Sequence, residues 1–274
     1  MSLTEIPKDR TINALASVWT SLRELLVTLT DDEWRLPSPL PGWDVQANVA
    51  HIIGTEAMLL GEPNPEIDID RDGAGHIRND IGAFNEVWVQ ALADKTPAEV
   101  LELFDDFTLR RLRALREMPL PEWNAESFTP VGRESYGRFM QIRVFDCWFH
   151  EQDIRVAVGR PGHLAGQAVV VTLDEMMGAM GFVVGKRAGA PEGSRVRFEL
   201  TGSSGRVIDV EVNERASVVE SLSDEPTVLI SMDAVVFTRL CGGRATLDDV
   251  RSEVTITGDV ALGEAILANA AYTI

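Results

Sequence analysis

The stretch RVFDCWFHEQDIR, residues 143–155, combines the apolar run of a buried helix with the polar side chains of a binding site. Asp146 and His150 interrupt the apolar run and are four residues apart. Side chains at this spacing stand on one face of a helix, about one turn from each other. Burying a carboxylate or an imidazole without a partner is costly. The stretch is therefore either a core helix with a few satisfied polar residues or the wall of a site.

Size and charge narrow the classes of partner. The chain has 274 residues, enough for one large domain or two ordinary ones. Its composition, 45% hydrophobic and 25% charged, is that of a soluble globular protein. Lys and Arg number 25 against 43 Asp and Glu, so the formal net charge is −18. Binding to nucleic acid or to an anionic membrane depends on basic patches, so we expect neither as a partner.

The sequence also predicts the compartment. MSLTEIPKDR, residues 1–10, has no basic segment followed by an apolar one, so no secretory signal is expected. The apolar run at residues 168–184 is interrupted by Asp174 and Glu175, which argues against a membrane span. Cys147 and Cys241 each lie in an apolar segment and are typical of reduced, buried thiols. We expect a cytoplasmic protein.

The first half of the chain has the pattern of four long helices. Loops rich in proline and glycine separate them, and Asp44 is placed to cap the second. The third is interrupted at Thr96 and Pro97. Such helices predict a four-helix bundle. The helical segments are residues 10–29, 45–61, 81–118 and a last one that contains the opening stretch and ends at residues 159–162.

From about residue 164 the pattern changes. An apolar helix is followed by runs rich in Val, Ile, Phe and Thr with partial alternation, which indicate strands. Two further helices, starting near Asp233 and at Asp259, complete an α+β domain with helices packed on one sheet. We therefore expect two domains, residues 1–163 and 164–274. The predicted strands are SRVRFELTG (194–202), GRVIDVEVN (205–213), TVLISM (227–232) and SEVTITG (252–258).

Two of the four histidines point to a metal site. His76 and His163 lie in polar or turn segments and are expected on the solvated surface, whereas His51 and His150 interrupt apolar helix faces. Asp146 and His150 can share one divalent ion, and His51 is the candidate third ligand. Three protein ligands and a vacant fourth position are typical of a catalytic zinc site. Spacing alone leaves open a surface Asp–His pair and a satisfied core histidine.

Two segments resemble the mycothiol-dependent maleylpyruvate isomerase family of actinobacteria, within the DinB-like metalloenzyme superfamily. They are PGWDVQANVAHIIGTEAMLLG (41–61), with Trp43 and His51, and SFTPVGRESYGRFMQIRVFDCWFHEQDIRVAVGRPG (127–162). The resemblance covers nearly the whole chain. It implies an α+β two-domain protein, in which a DinB-like four-helix bundle precedes a sterol-carrier-like α+β domain with one mostly antiparallel sheet.

The resemblance also implies a set of metal ligands. The family holds a divalent metal, usually zinc, through a histidine of the second helix and an acidic residue and a histidine four apart on the fourth. These roles fall on His51, Asp146 and His150. In the characterised isomerase the acidic ligand is a glutamate. The shorter aspartate here has to be offset by a helix shift or a bridging water.

Charged residues around this set have both functional and structural interpretations. Arg143 could form an ion pair with the aspartate, and Asp153 or Glu151 could accept a hydrogen bond from an imidazole N–H. In the second domain, Arg239 and Arg244 flank the sequence LCGG and could bind a substrate carboxylate bidentately. The resemblance implies that this domain contributes an arginine to the site. Ordinary surface charge, or interaction with a helix end, is the alternative for each.

These features predict an enzyme that uses Zn²⁺ or another divalent metal to activate a low-molecular-weight thiol, mycothiol. A metal-bound thiol loses its proton near neutral pH. The thiolate would attack a small electrophile, either as an isomerase acting on a maleylpyruvate-like substrate or as a thiol S-transferase, in a monomer or homodimer. The alternatives are a non-catalytic protein that holds an apolar ligand in its C-terminal domain and a structural bundle stapled by a metal.

Overall fold

The structure is a computed structural model that describes residues 3–69, 77 and 79–273. The chain divides into two compact units, residues 1–163 and 164–274. In its described residues the first unit consists of helices, loops and one short hairpin, and the second combines helices with a five-stranded sheet. The predicted fold class, a helical bundle followed by an α+β domain, is confirmed.

Four long helices of the first unit, α1, α2, α4 and α6, form the bundle. In the described residues, α1 packs on α4 and α6, α2 packs on the same two helices, and α3 covers α2. The interrupted third segment is two helices, because Thr96 and Glu99 form a capping box that starts α4 at Pro97. The helices are α1 (Lys8–Leu26), α2 (Val45–Leu59), α3 (Asp80–Leu92), α4 (Pro97–Glu117), α5 (Leu120–Trp123) and α6 (Tyr136–Ala157).

The starts of α2 and α6 are set by capping side chains. Asp44 caps α2, its Oδ1 accepting a hydrogen bond from Ala47 N at 2.7 Å. Ser135 caps α6 in the same way, through a bond from Arg138 N at 3.1 Å. A hairpin of β1 (Glu126–Thr129) and β2 (Gly132–Ser135) leads directly into α6. The sequence analysis did not predict this hairpin.

The helices α2 and α6 are buried along most of their length. Every residue of α2 from Val45 to Ala57 is buried, which is the environment of a helix apolar on all sides. Polar residues on these two helices are therefore carried into the interior of the bundle. His51 and Glu56 on α2, and Arg143 and His150 on α6, are all buried.

The second unit is built on one sheet with strand order β5-β4-β3-β6-β7. All neighbouring strands are antiparallel except β3 and β6, so the sheet is mostly antiparallel as predicted. The edge strand β5 was not predicted. The elements are α7 (Gln167–Phe182), β3 (Arg195–Thr201), β4 (Arg206–Val212), β5 (Ala216–Val219), β6 (Val228–Asp233), α8 (Ala234–Cys241), β7 (Thr255–Gly258) and α9 (Val260–Ala268).

The apolar segment that begins with α7 belongs to the core of this unit. Among the described residues, Gln167–Arg187 is long and apolar enough to cross a membrane by length and composition, with a mean hydropathy of 1.6 over its best window. However, 56% of that window is buried inside the protein. Asp174, on the same helix, accepts a hydrogen bond from Arg206 Nη1 at 2.6 Å. This is the pattern of a core helix in a soluble domain.

Candidate metal centre

Two imidazoles and one carboxylate converge between α2 and α6. His51 Nε2 lies 3.1 Å from Asp146 Oδ2, and His150 Nε2 lies 3.5 Å from Asp146 Oδ1. The ring centroids of the two histidines are 4.5 Å apart. One ligand atom from each residue lies within 4.8 Å of the others, close enough to surround a single ion. The structure brings together the three residues assigned to the metal.

The protonation states of this group suit a cation. Burial lowers the pKa of His51, so its imidazole is neutral at neutral pH. Burial would raise the pKa of Asp146, but the positive charge of Arg143 opposes it, and that pKa is held well below its usual range. Metal ligands must be deprotonated to bind. Carboxylate and imidazole are therefore both ready to act as ligands.

The site has one exposed component. The side chain of Asp146 is 28% exposed, whereas those of His51 and His150 are 5% and 8% exposed. His51 Nδ1 is buried and has no hydrogen-bond partner among the described residues. Two nitrogen donors and one oxygen donor, with access from one side, fit a divalent ion held by three protein ligands with an open fourth position.

A buried network of ion pairs contacts the carboxylate of Asp146. Arg143 binds Glu56 Oε1 through Nε at 3.0 Å and Nη2 at 2.7 Å, and its Nη1 pairs with Asp146 Oδ2. Arg111 Nε donates to the other oxygen of Glu56 at 3.0 Å, and its Nη2 donates to the Tyr136 hydroxyl at 2.8 Å. The sequence analysis did not identify Glu56 or Arg111. The only sequence signal for them is a charge in an otherwise apolar helical segment.

The predicted acceptors for the imidazole N–H groups are corrected by the structure. His150 Nδ1 lies 2.8 Å from Asn48 Oδ1, whereas Asp153 Oδ2 is 3.9 Å away, beyond hydrogen-bond distance. Glu151 lies on another face of α6, where it accepts hydrogen bonds from Ser21 and Arg155. For Glu151 the α-helical period explains the error, because it directly follows His150 and neighbouring residues on α6 point about 100° apart. Asp153 shares the face of His150 but lies too far from its ring nitrogen.

Trp43 covers both imidazoles. Its ring centroid lies 5.4 Å from that of His51 and 5.7 Å from that of His150. The indole N–H donates to Glu86 Oε2 on α3 at 3.2 Å. Cys147 is not a ligand, since its Sγ instead accepts a hydrogen bond from Arg143 Nη2 at 3.2 Å. Burial raises the pKa of this thiol.

The other predicted residues lie apart from this cluster or outside the described residues. His163 is not a solvated surface residue, because its Nδ1 binds the buried Glu151 Oε2 at 2.7 Å. His76 is outside the described residues. In the second unit, Arg239 is exposed on α8, and Arg244 Nη1 donates to Gly242 O at 2.6 Å. Their role in substrate binding remains a prediction.

Known proteins share this organisation. Two crystal structures of the mycothiol-dependent maleylpyruvate isomerase, one of them a single-site mutant, are each 17% identical to this chain and cover 94% of it and 95% of their own length. Their TM-scores of 0.59 and 0.58 show a shared fold. Sterol Carrier Protein 2 from Yarrowia lipolytica is 14% identical, covering 38% of this chain and 93% of its own, with a TM-score of 0.28. A score this low does not establish a shared fold.

Each of the two units matches a protein-family model. Comparison with curated proteins found no significant match. Residues 15–155 match the mycothiol maleylpyruvate isomerase N-terminal domain, and residues 170–265 match the C-terminal domain of the same family. The chain therefore belongs to the mycothiol maleylpyruvate isomerase family.

Proposed function

We propose that this protein is a cytoplasmic zinc enzyme that activates mycothiol for attack on a small electrophile. The observation that carries the proposal is the convergence of His51, Asp146 and His150, with only the Asp146 side chain substantially exposed. The two free, buried cysteines fit a reducing compartment, where a low-molecular-weight thiol is available. Family membership supports mycothiol as that thiol.

The donor set supports zinc, although two imidazoles and a carboxylate also accept other divalent ions. The reach of Asp146 supports its proposed role as a ligand despite the shorter side chain. Its oxygens lie 3.1 Å and 3.5 Å from the two imidazole nitrogens.

The chain's own residues set the charge at the site. When bound, the metal supplies positive charge that lowers the pKa of a coordinated thiol, so that the thiolate forms near neutral pH. Two neutral imidazoles and one carboxylate contribute a single negative charge, and Arg143 shares the carboxylate. The ligands would thus leave a net positive charge at a bound divalent ion, available to the thiol. Trp43 covers the two imidazoles and restricts the approach of water.

The reaction is nucleophilic attack by the thiolate sulfur. In the isomerase version the sulfur forms a C–S bond to one carbon of the conjugated double bond. The π electrons of that double bond move to the carbonyl oxygen, which leaves a C–C single bond. The former double bond rotates, and loss of the thiolate restores it in the trans geometry. In the transferase version the C–S bond persists and a leaving group departs. The isomerase structures of the same fold support the first version, with Arg239 or Arg244 proposed to bind a substrate carboxylate.

The two alternatives find less support. A cavity of about 560 Å³ lies between the end of α7 and the β4–β5 turn of the second unit. Its lining includes Phe182 but also Lys186, Glu192 and Arg215, which does not favour an apolar ligand. A structural metal staple needs a fourth protein ligand, and the ligand cluster within the described residues contains three side chains.

Elemental analysis of reconstituted protein tests the proposal. We expect about one equivalent of zinc in the wild type and none in His51→Ala or His150→Ala. The matched control is His163→Gln, which removes a histidine of the same unit that contacts Glu151 rather than the cluster. Zinc-loaded wild type should then convert maleylpyruvate in the presence of mycothiol, whereas the metal-free protein should not. A wild type that binds no zinc, or a His150→Ala protein that retains it, contradicts the assignment.

A further inference from the structure

The surroundings of His150 determine which of its ring nitrogens carries the proton. Asn48 and His51 are three residues apart on α2, so both side chains face α6. Asn48 is fully buried, and its Oδ1 lies 2.8 Å from His150 Nδ1. The opposite ring nitrogen, Nε2, points to Asp146 Oδ1. The His150 imidazole therefore lies between the Asn48 amide and the Asp146 carboxylate.

The orientation of the Asn48 amide is fixed by its second contact. Asn48 Nδ2 donates to the backbone carbonyl of Asp44 at 2.8 Å. A carbonyl oxygen only accepts, so the NH₂ group must be on this side and the amide oxygen must face His150. An amide oxygen cannot donate, so His150 Nδ1 has to carry the proton. The lone pair of Nε2 is then directed at Asp146 and at any ion bound there.

His51 has no comparable support. Its Nδ1 has no hydrogen-bond partner in the described parts of the chain, and its Nε2 faces Asp146 Oδ2. In the metal-free protein, a proton on His51 Nε2 can be donated to that carboxylate. Only one of the two imidazoles is thus prepared for a metal by its neighbours. Partners that orient a metal-binding histidine typically change metal affinity by about 10- to 100-fold.

We propose that Asn48 is a positioning residue that holds His150 in the tautomer protonated at Nδ1, leaving Nε2 free to bind the metal. The effect of Asn48 on metal binding rests on the proposed function. Its effect on the His150 tautomer does not, because the tautomer is set in the metal-free protein. The residue acts through His150 and needs no contact with substrate.

Nitrogen NMR of histidine-labelled, metal-free protein tests the tautomer directly. At mildly alkaline pH, where imidazoles are neutral, we expect His150 to show a protonated Nδ1 and an unprotonated Nε2. In Asn48→Leu the proton should move to Nε2, where Asp146 accepts it, and zinc affinity should fall by about 10- to 100-fold. Asn48→Asp loses the donor to Asp44 O but keeps an acceptor oxygen towards His150, so it should keep the wild-type tautomer.

A buried amide elsewhere on α2 provides the control. Gln46 is also buried, and its Nε2 donates to Leu92 O at 2.6 Å, away from the site. Gln46→Leu should lose stability without a change in the His150 tautomer. Two results would overturn the proposal: wild-type His150 protonated at Nε2, or a folded Asn48→Leu protein with an unchanged tautomer. If the wild type shows the expected tautomer but binds no zinc, the proposed function fails while the role of Asn48 in fixing the tautomer stands.

Discussion

Replacing Glu56 by Gln should destabilise the first unit strongly. Glu56 is completely buried and receives three hydrogen bonds of 2.7–3.0 Å from the guanidinium groups of Arg111 and Arg143, which are themselves almost fully buried. Glutamine keeps the shape but loses the charge, and its NH₂ group then faces a guanidinium donor. The substitution leaves two buried cations, of which only Arg143 keeps a carboxylate partner, Asp146, among the described residues.

The size of the stability loss depends on which contacts the two arginines keep. Removing one partner of a buried ion pair typically costs about 3–5 kcal/mol. Arg111 keeps its bond to the Tyr136 hydroxyl, and Arg143 keeps its pair with Asp146, so the lower end of that range applies. We expect a loss of about 3 kcal/mol in the free energy of unfolding. For a unit of this size the loss corresponds to a fall in Tm of about 6–12 °C.

Tryptophan fluorescence during urea unfolding isolates the relevant transition, because all six tryptophans lie in the first unit. The matched control is Asp105→Asn, which removes the partner of Arg23 in an ion pair whose side chains are 51% and 38% exposed. That change should leave the midpoint unaltered, since solvent screens such pairs. If Glu56→Gln unfolds at the same urea concentration as Asp105→Asn, the buried network does not stabilise the unit and the reasoning is refuted.

Three further results are expected. Gly54→Ala would place a Cβ inside the Trp88 side chain, so the free energy of unfolding should fall by about 1–3 kcal/mol; an unchanged urea midpoint would contradict this close packing of α2 and α3. Asp146→Asn removes the only charged side chain of the three candidate ligands. Its zinc affinity, measured by competition with a chromophoric chelator, should fall by more than the roughly 100-fold typical of residues that only orient a ligand. Both cysteines are buried, and burial raises the pKa of the Cys241 thiol, so a disulfide reagent should label neither in native protein and both after unfolding. Rapid labelling of native protein would show that a thiol is accessible.

Local pattern predicted most of the architecture. The long helices and the strands from β3 to β7 follow from apolar periodicity and turn residues, with two exceptions. The sequence analysis missed the hairpin β1–β2 and the edge strand β5, whose strands have four residues each and few buried side chains. The strand β7 is equally short, but its run of Thr and Ile residues indicated a strand. The break predicted at Thr96 and Pro97 is the boundary between α3 and α4, which the capping box of Thr96 and Glu99 sets.

The sequence by itself determined the fold class, the soluble composition and the three candidate ligands, because spacing of four residues on one helix and a histidine in an apolar face are local features. Only the tertiary structure decided what surrounds them. Asn48 and His150 are 102 residues apart, and Glu56 and Arg143 are 87 apart, so no periodicity within one helix reveals either pair. These partners follow from the packing of α2 against α4 and α6, which buries polar groups that must find each other once water is excluded.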